Sequence, residues 1–429
     1  MPPLTVMGAL RYHSGTLHIE DVPITTLVAK FGTPLYVYSA HVLEAQYRRL
    51  EASLTGLSSN LLICYALKAN ANHVLGRMLA NWGAGADVVS GGEIYLAQRM
   101  GFPAERIVFA GVGKTRREIE EALVAGVRAF HVESAGELDA IASVAGALGV
   151  VAPVAVRVNP DVEAHTHPYI TTGTRANKFG VSPAEALALI RKASSIPSLR
   201  HVGLHTHIGS QLPHIQPVID AVALLLELWD LLAGDGIDLH ELDIGGGLGI
   251  PYRPGEEPEG PEELAADLRP LLAGRTLDLV LEPGRFIVGP AGALLTTVTY
   301  LKETTEGAGQ EDASKSLAIV DAGMNDLLRP ALYGAYHPVW PLMEEHIETG
   351  APIDIAGPVC ESADVLAQDR RLGTVRPGDL LAIGQAGAYG FSMSSQYNAR
   401  LRPAEVLVTG AETRLIRPRE TYSDLMSEM

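Results

Sequence analysis

The stretch Leu61-Leu62-Ile63-Cys64-Tyr65-Ala66-Leu67-Lys68-Ala69-Asn70 sets the frame for the whole chain. Its apolar start is short and bounded by polar residues, which suits a buried strand. Lys68 stands at the mouth of that strand. Partial desolvation disfavours the ammonium form and leaves the amine available as a nucleophile. The ordinary alternative is a strand-end lysine that snorkels to water, so the residues around it in the fold must decide. Seven further apolar runs follow at a regular interval: Ala86–Val89, Arg106–Ala110, Ala129–Val132, Val154–Val158, Val202–His205, Glu241–Ile244 and Leu277–Leu281. Helical patterns lie between them, as at Glu118–Ala125, Ala135–Ala147, Ala184–Ala193 and Val218–Leu232. Strands alternating with helices imply βαβ units and a parallel sheet. Eight such units in roughly 230 residues match a (β/α)8 TIM-like barrel. A doubly wound open sheet is the competing architecture.

After Pro290 the pattern changes. Leu294–Leu301, Leu317–Val320, Leu380–Ile383 and Ala404–Val408 are short, β-prone and separated by Gly, Pro and Asp. They predict a mainly antiparallel β domain. Leu17–Glu20 and Leu35–Tyr38 also read as extended and are expected to complete that domain. The expected division is therefore 1–38 as an N-terminal segment joining the β domain, 39–289 as the barrel and 290–429 as the C-terminal β domain. Pro251–Glu263 and the polar insertion Thr304–Ser314 read as surface loops.

The chain has 429 residues, 47% of them hydrophobic, and a net charge of −17. That length and apolar content allow a large core. The acidic balance argues against nucleic-acid binding, because no basic stripe is available to release counterions. No apolar stretch reaches the roughly 18 residues of a membrane span, and no secretory signal is visible. Cys64 and Cys360 form no metal-ligand or redox pattern. A cytoplasmic location is the expectation.

In a (β/α)8 barrel the active site is built at the C-terminal ends of the strands, and the unusual polar residues of this chain collect there. The first strand supplies Lys68, and the second runs into Asp87 and Ser90-Gly91-Gly92-Glu93. The fifth carries Arg157, and the sixth ends in His205-Thr206-His207-Ile208-Gly209-Ser210. The seventh ends in Asp243-Ile244-Gly245-Gly246-Gly247-Leu248-Gly249, and the eighth in Glu282-Pro283-Gly284-Arg285. Three consecutive glycines let backbone amides approach an anion closely. They do not form a dinucleotide fingerprint, because the last required glycine would fall on Ile250. Gly113-Lys114-Thr115 resembles the end of a P-loop, but the earlier glycine position holds Val108. An amine nucleophile can form a Schiff base with pyridoxal phosphate, and Glu282 would then face the pyridine nitrogen and stabilise its protonated form. A structural ion pair with Arg285 is the other use of that carboxylate. His205 and His207 share one strand face, but no further pattern supports a metal, and no metal is expected. A flat imidazole stacked on a flat cofactor is the better use of His207. In the β domain, Arg329 can clamp a carboxylate in bidentate fashion, and Cys360 beside Glu361 is either packing or chemistry.

Taken together, the motifs resemble the diaminopimelate decarboxylase family of fold-type III pyridoxal-phosphate enzymes. The resemblance rests on YALKAN (Tyr65–Asn70), VVSGGE (Val88–Glu93), VRVNPDVEAHTHPYITTG (Val156–Gly173), NKFG (Asn177–Gly180), HIGSQ (His207–Gln211), GGGLG (Gly245–Gly249) and EPGR (Glu282–Arg285). In the β domain it rests on RPALYGAYH (Arg329–His337), CESAD (Cys360–Asp364), GAYGFSMSSQYN (Gly387–Asn398) and RPRETYSDL (Arg417–Leu425). It implies that Lys68 holds the cofactor and that His207 stacks on its ring. It implies that Glu282 pairs with the pyridine nitrogen. Ser210, Gly245, Gly246, Gly247, Gly284, Arg285 and Tyr389 would bind mostly the phosphate. Arg285, Arg329, Tyr333, Glu361 and Tyr389 would hold the substrate, and Cys360 would donate the proton that replaces the lost carboxylate. The resemblance further implies a homodimer whose site is shared, with Cys360 and Glu361 reaching in from the partner chain. The expected reaction is decarboxylation of meso-2,6-diaminopimelate to L-lysine and CO2. A related decarboxylase of another carboxylated diamine or polyamine, and an inactive partner-binding homologue, are the alternatives.

Overall fold

The computed structural model describes residues 8–162, 178–305 and 314–426. Parts of the quoted VRVNPDVEAHTHPYITTG and NKFG motifs, the centre of the Thr304–Ser314 insertion and both chain ends lie outside the described residues. The chain divides into two compact units.

The first unit, Tyr47–Gly249 with Glu257–Phe286, contains a closed barrel of eight parallel strands. These are β1 (Asn60–Ala66), β2 (Gly85–Val88), β3 (Ile107–Phe109), β4 (Ala129–Val132), β5 (Ala152–Arg157), β6 (Leu199–His205), β7 (Glu241–Asp243) and β8 (Asp278–Leu281). Strand order in space follows strand order in sequence, and β8 pairs with β1 in parallel from Asp278–Asn60 to Leu281–Ile63. That closure excludes the doubly wound sheet. The local cause of the regular βα period is visible at the helix starts. Ser90, Thr115, Ser134 and Ser182 each accept a hydrogen bond from the amide of a glutamate three residues on. At Thr115 and Ser182 that glutamate returns the contact and closes a capping box. Gly101, Gly126 and Gly149 end three of these helices in the left-handed conformation. Each capped helix returns the chain to the barrel floor, so the next strand again points its C-terminal end at the same rim.

The second unit comprises Met1–Gln46, Ile250–Glu256 and Ile287–Met429. It holds a three-stranded antiparallel sheet over Leu10–Pro23 and a larger, mainly antiparallel sheet. Leu35–Ser39 runs through the larger sheet, antiparallel to Gly292–Thr305 and parallel to Ala404–Thr409. All five of its residues are buried, and Leu35 and Val37 join Leu17, Ile19, Leu295 and Val406 in one apolar core. Burying such a side chain contributes about 1.5–3 kcal/mol, which explains why the N-terminal segment folds into this unit.

Two expected loops are trimmed at their ends. Pro261–Leu272 is a helix whose first turn lies inside the predicted loop Pro251–Glu263. Proline in the first turn, with Glu262 and Glu263 beside it, is a helix start, and Glu263 Oε2 accepts the Gly260 amide at 2.9 Å. In the expected Thr304–Ser314 loop, Gly292–Thr305 and Ser314–Val320 are paired antiparallel strands with Thr305 opposite Ser314.

Candidate functional site

The end of β1 tightens into a single 3-10 turn, Leu67–Ala69, which carries Lys68 onto the rim. Lys68 Nζ donates to Asp87 Oδ2 at 2.5 Å. The lysine side chain is 35% exposed and the aspartate fully buried, so the lysine stays partly open at the rim while its counter-charge is locked in the strand. Burial pushes the Asp87 carboxyl up to about 6, Glu282 adding to the rise and Lys68 opposing it. Glu93, at the start of the next helix, is likewise raised to about 7 by burial and accepts the Val89 amide at 2.8 Å. Asp87 was legible only as a strand-end acid. Its pairing with Lys68 is a product of the β1–β2 register, which sets Ala66 beside Asp87.

The glycine run fills the space between β6, β7 and β8. Gly245 has φ +69°, and a Cβ there would stand 2.5 Å from the Thr206 carbonyl. On Gly246 it would stand 2.4 Å from the Glu282 carbonyl. The Gly246 amide donates to His207 Nδ1 at 3.1 Å. That bond fixes the imidazole plane and leaves its other nitrogen to carry the hydrogen. Burial, then Arg157 and Lys68, push the His207 pKa down to about 3. His207 therefore presents a neutral, flat face. Arg285 Nε and Nη2 both reach Ser210 Oγ, at 3.3 and 3.2 Å. A Cβ on Gly284 would lie 2.9 Å from Ala69 Cβ, so the Glu282–Arg285 turn packs directly on the turn that bears Lys68.

Glu282 is buried and meets two imidazoles rather than an arginine. His205 Nε2 lies 3.3 Å from Oε2 and His131 Nδ1 3.2 Å from Oε1. Burial raises its carboxyl, but His205 and His131 outweigh that and hold it well below the usual carboxylate range. His131 also faces Asp243, Nε2 to Oδ2 3.5 Å, and stacks on His205 at 4.0 Å between centroids. The expected His205–His207 pair is thus corrected. His205 turns into the barrel towards His131, Asp243 and Glu282, and His207 turns to Gly246. Ligand-type atoms of those four inner residues lie within 4.8 Å of one another, a spacing that a cation could occupy. Sequence reading missed this group because its members come from four different strands.

Above it runs a buried ionic chain. Arg157 Nη1 donates to Glu133 Oε1 at 2.8 Å, and Nη2 donates to the His207 carbonyl at 3.3 Å. Lys114, from the apparent P-loop ending, is buried and donates to the Gly111 and His131 carbonyls and to Glu137 Oε1. It is a structural strut with all three ammonium hydrogens engaged.

The remaining expected residues belong to the β unit. Arg329 is buried, with Nη1 2.9 Å from both the Tyr252 hydroxyl and His337 Nε2. Tyr333 ends the same short helix, Arg329–Tyr333, and is half-buried. Cys360 is exposed, and its amide donates to Asn398 Oδ1 at 2.8 Å. Glu361 Oε2 accepts from the Tyr397 hydroxyl at 3.1 Å. Tyr389 sits in the left-handed region at φ +55°. Pro330 and Ala331 of the helix and Ser362 and Ala363 after Cys360–Glu361 line one cavity of about 550 Å³. The structure therefore brings Lys68, His207, Ser210, Gly245–Gly247, Glu282, Gly284 and Arg285 to one barrel rim, whereas Arg329, Tyr333, Cys360, Glu361 and Tyr389 are carried by the other unit.

The rim fits pyridoxal phosphate. It offers an amine for the aldehyde, a buried ionised carboxylate for a ring nitrogen and a neutral imidazole for a ring face. It also offers a glycine run and a Ser210–Arg285 pair suited to an anion.

Comparison with known proteins agrees. The family described as pyridoxal-dependent decarboxylase, pyridoxal binding domain, matches residues 40–289. Diaminopimelate decarboxylase of Aquifex aeolicus is 47% identical over 96% of this chain and 95% of its own. That of Pseudomonas aeruginosa is 48% identical over 98% of both chains. The crystal structure of the enzyme from M. jannaschii in complex with L-lysine superposes with a TM-score of 0.92 at 39% identity, covering 98% of each chain. A barrel-rim lysine with this set of partners, and likeness along almost the entire length, place the chain in the diaminopimelate decarboxylase family of pyridoxal-dependent decarboxylases.

Proposed function

We propose that this chain decarboxylates meso-2,6-diaminopimelate to L-lysine and CO2, the last step of lysine biosynthesis. The observation that carries the reading is full-length likeness to diaminopimelate decarboxylases at 47–48% identity, joined to a rim whose chemistry suits their cofactor. Bound pyridoxal phosphate supplies a conjugated ring that accepts the electron pair released when the carboxylate leaves. The chain's residues do the rest. Lys68 would hold the cofactor, and Asp87, paired with Lys68 Nζ, would keep that amine at the rim. Glu282 retains a proton on the ring nitrogen, and His207 covers a ring face without adding charge. Ser210, Gly245, Gly246, Gly247, Gly284, Arg285 and Tyr389 hold the phosphate.

Arg285, Arg329, Tyr333, Glu361 and Tyr389 select a substrate whose far end carries both an ammonium and a carboxylate. An amino acid lacking the distal carboxylate leaves an arginine without its anion, at a cost of about 1–3 kcal/mol. Cys360 delivers the proton to the carbon that lost CO2. The working unit is a homodimer, with Cys360 and Glu361 of one protomer acting in the site of its partner. The functional division of the chain is 1–38, 39–289 and 290–429. The enzyme acts in the cytoplasm, and no described helix is long and apolar enough to cross a membrane.

The test supplies meso-diaminopimelate, ornithine and lysine to the pyridoxal-phosphate-loaded protein and identifies the amine released. L-Lysine from diaminopimelate supports the proposal, and preferential release of a diamine from ornithine or lysine refutes it. Mixing inactive Lys68→Ala and Cys360→Ala chains under dissociating conditions is expected to restore part of the activity. Persistent inactivity in a proven heterodimer refutes the shared site.

A further inference from the structure

The Cys360–Glu361 turn is held from two directions, although its tip is exposed. Its base is pinned by the buried Asp364. Asp364 Oδ2 accepts the Val359 amide at 2.7 Å, and Oδ1 accepts the Met324 amide at 2.6 Å. The Gly357 amide donates to the Asp364 carbonyl at 2.9 Å, and a Cβ on Gly357 would stand 2.4 Å from Asp364 Oδ2. The tip is held by a different segment. Asn398 Oδ1 accepts the Cys360 amide at 2.8 Å, and the Tyr397 hydroxyl donates to Glu361 Oε2 at 3.1 Å. Two consecutive residues thus grip two others that lie 38 and 36 positions earlier.

The gripping turn departs from ordinary backbone. Asn398 and Ala399 follow each other in the left-handed region, at φ +56° and +54°. Asparagine tolerates that region, whereas alanine rarely enters it. The turn is also braced from behind. The Ser395 amide donates to the Asn325 carbonyl at 2.9 Å, and Gln396 Nε2 donates to Glu420 Oε2 at 3.0 Å. Cys360, Glu361, Tyr397 and Asn398 are all exposed, so water competes for both tip bonds and they add little to stability. Strained backbone that secures so little stability marks a place where geometry serves function.

We propose that Asn398 is a positioning residue for Cys360. Its side-chain carbonyl fixes the backbone at Cys360 and so aims the thiol, while Tyr397 orients the Glu361 carboxylate through Oε2. The inference rests on the reading of Cys360 as proton donor and of Glu361 as a substrate contact. One strained turn then sets the direction of proton delivery and the grip on the substrate together.

The experiment uses the full chain loaded with pyridoxal phosphate. The sequence holds 2 cysteines, so cysteine-labelled protein gives one amide signal for Cys360 and one for buried Cys64 as internal control. Asn398→Gly removes the acceptor and suits the left-handed backbone. It is expected to speed amide exchange at Cys360 about tenfold and to leave Cys64 unchanged. It is expected to lower kcat for diaminopimelate about 10- to 100-fold with KM nearly unchanged, the effect of a misplaced group. Melting within about 2 °C of the wild type is expected, because the substitution lies at the surface. Asn398→Asp keeps the acceptor and is expected to restore slow exchange and most of kcat. Tyr397→Phe is expected to raise KM about 3- to 10-fold with kcat nearly unchanged.

Placement of the defect gives a second readout. In a purified heterodimer one chain carries Lys68→Ala, so the working site uses Lys68 of the other chain. Asn398→Gly is expected to lower activity when it is on the Lys68→Ala chain and to be silent on the chain that retains Lys68. The reverse pattern supports the inference and refutes the shared site. Equal loss from either placement overturns the inference. So does full kcat in a folded Asn398→Gly protein, or a loss in Asn398→Asp equal to that in Asn398→Gly. A melting temperature lowered by more than about 5 °C in Asn398→Gly overturns it too and makes the residue structural. Full activity in Cys360→Ala refutes the proton-donor reading and the inference with it. An inactive Cys360→Ala protein beside a fully active Asn398→Gly protein overturns the inference alone.

Discussion

Replacing Glu133 with Gln tests whether the rim depends on its buried charge network. Glu133 and Arg157 side chains are 2% and 6% exposed and meet at 2.8 Å. The other Glu133 oxygen accepts the Gly180 amide at 2.9 Å, and the guanidinium lies 4.7 Å above the Phe179 ring. At the 2.8 Å separation of Glu133 and Arg157 and an effective dielectric constant of about 20, the Coulomb attraction is roughly 6 kcal/mol. Glutamine keeps the shape and an acceptor, and a hydrogen bond to the charged guanidinium retains about 1.5–3 kcal/mol. The expected net loss is therefore about 3–5 kcal/mol, the usual cost of stranding a buried charge. For a unit of this size each kcal/mol lowers the melting temperature by about 2–4 °C, so calorimetry is expected to show a fall of about 6–20 °C. The deficit is expected to persist in high salt, because buried pairs are screened little. Glu121→Gln, which removes the partner of exposed Arg117, is expected to leave the melting temperature nearly unchanged. A Glu133→Gln protein that melts within about 2 °C of the wild type, or whose deficit disappears in salt, refutes the assignment of Arg157 as a buried, charge-compensated support for His207.

Gly246→Ala places a methyl 2.4 Å from the Glu282 carbonyl. Overpacking of this kind costs about 1–3 kcal/mol, and weaker pyridoxal-phosphate retention on dialysis is expected with it. His207 titrates near 3 in the folded chain against an ordinary value of 6.5. Its contribution to stability is therefore complete above pH 6.5 and is lost as pH falls from 6.5 towards 3. Histidine-labelled NMR is expected to find it neutral throughout the upper part of that window, and a protonated His207 at pH 6 contradicts the burial argument. Arg329→Ala is expected to raise KM for diaminopimelate by about 10- to 150-fold, the worth of a hydrogen bond to a charged group. An unchanged KM in a folded protein removes Arg329 from substrate binding.

The barrel could be read from the chain because each βα unit carries its own local signals. An apolar run of strand length is followed by a Ser or Thr cap with glutamate three residues later, and then by an amphipathic helix. β4 at Ala129–Val132 matches the expected bounds, whereas other strand ends differ by up to three residues, as in β5 at Ala152–Arg157 and β6 at Leu199–His205. Pairing with the neighbouring strand decides where a strand starts, and no local pattern encodes that. The helix at Pro261–Leu272 was obscured because its start is rich in Pro, Gly and Glu, a composition shared by exposed loops and helix first turns.

Chemistry-bearing side chains were legible wherever they cluster in short motifs: Lys68 after its strand, His207 and Ser210 after theirs, the glycine run, and Glu282 to Arg285. Local periodicity and residue type suffice for that, since both are properties of contiguous chain. Partners across the barrel were not legible. Asp87 under Lys68 is 19 residues away and His205 beside Glu282 is 77, and the His131–Asp243 contact joins strands that are not neighbours in the barrel order. Closing a cylinder presses side chains from unrelated strands into one interior of low dielectric, where a few ångströms decide which acids remain ionised. Those distances arise from the fold as a whole, so the charge state of the site came into view only with the closed barrel.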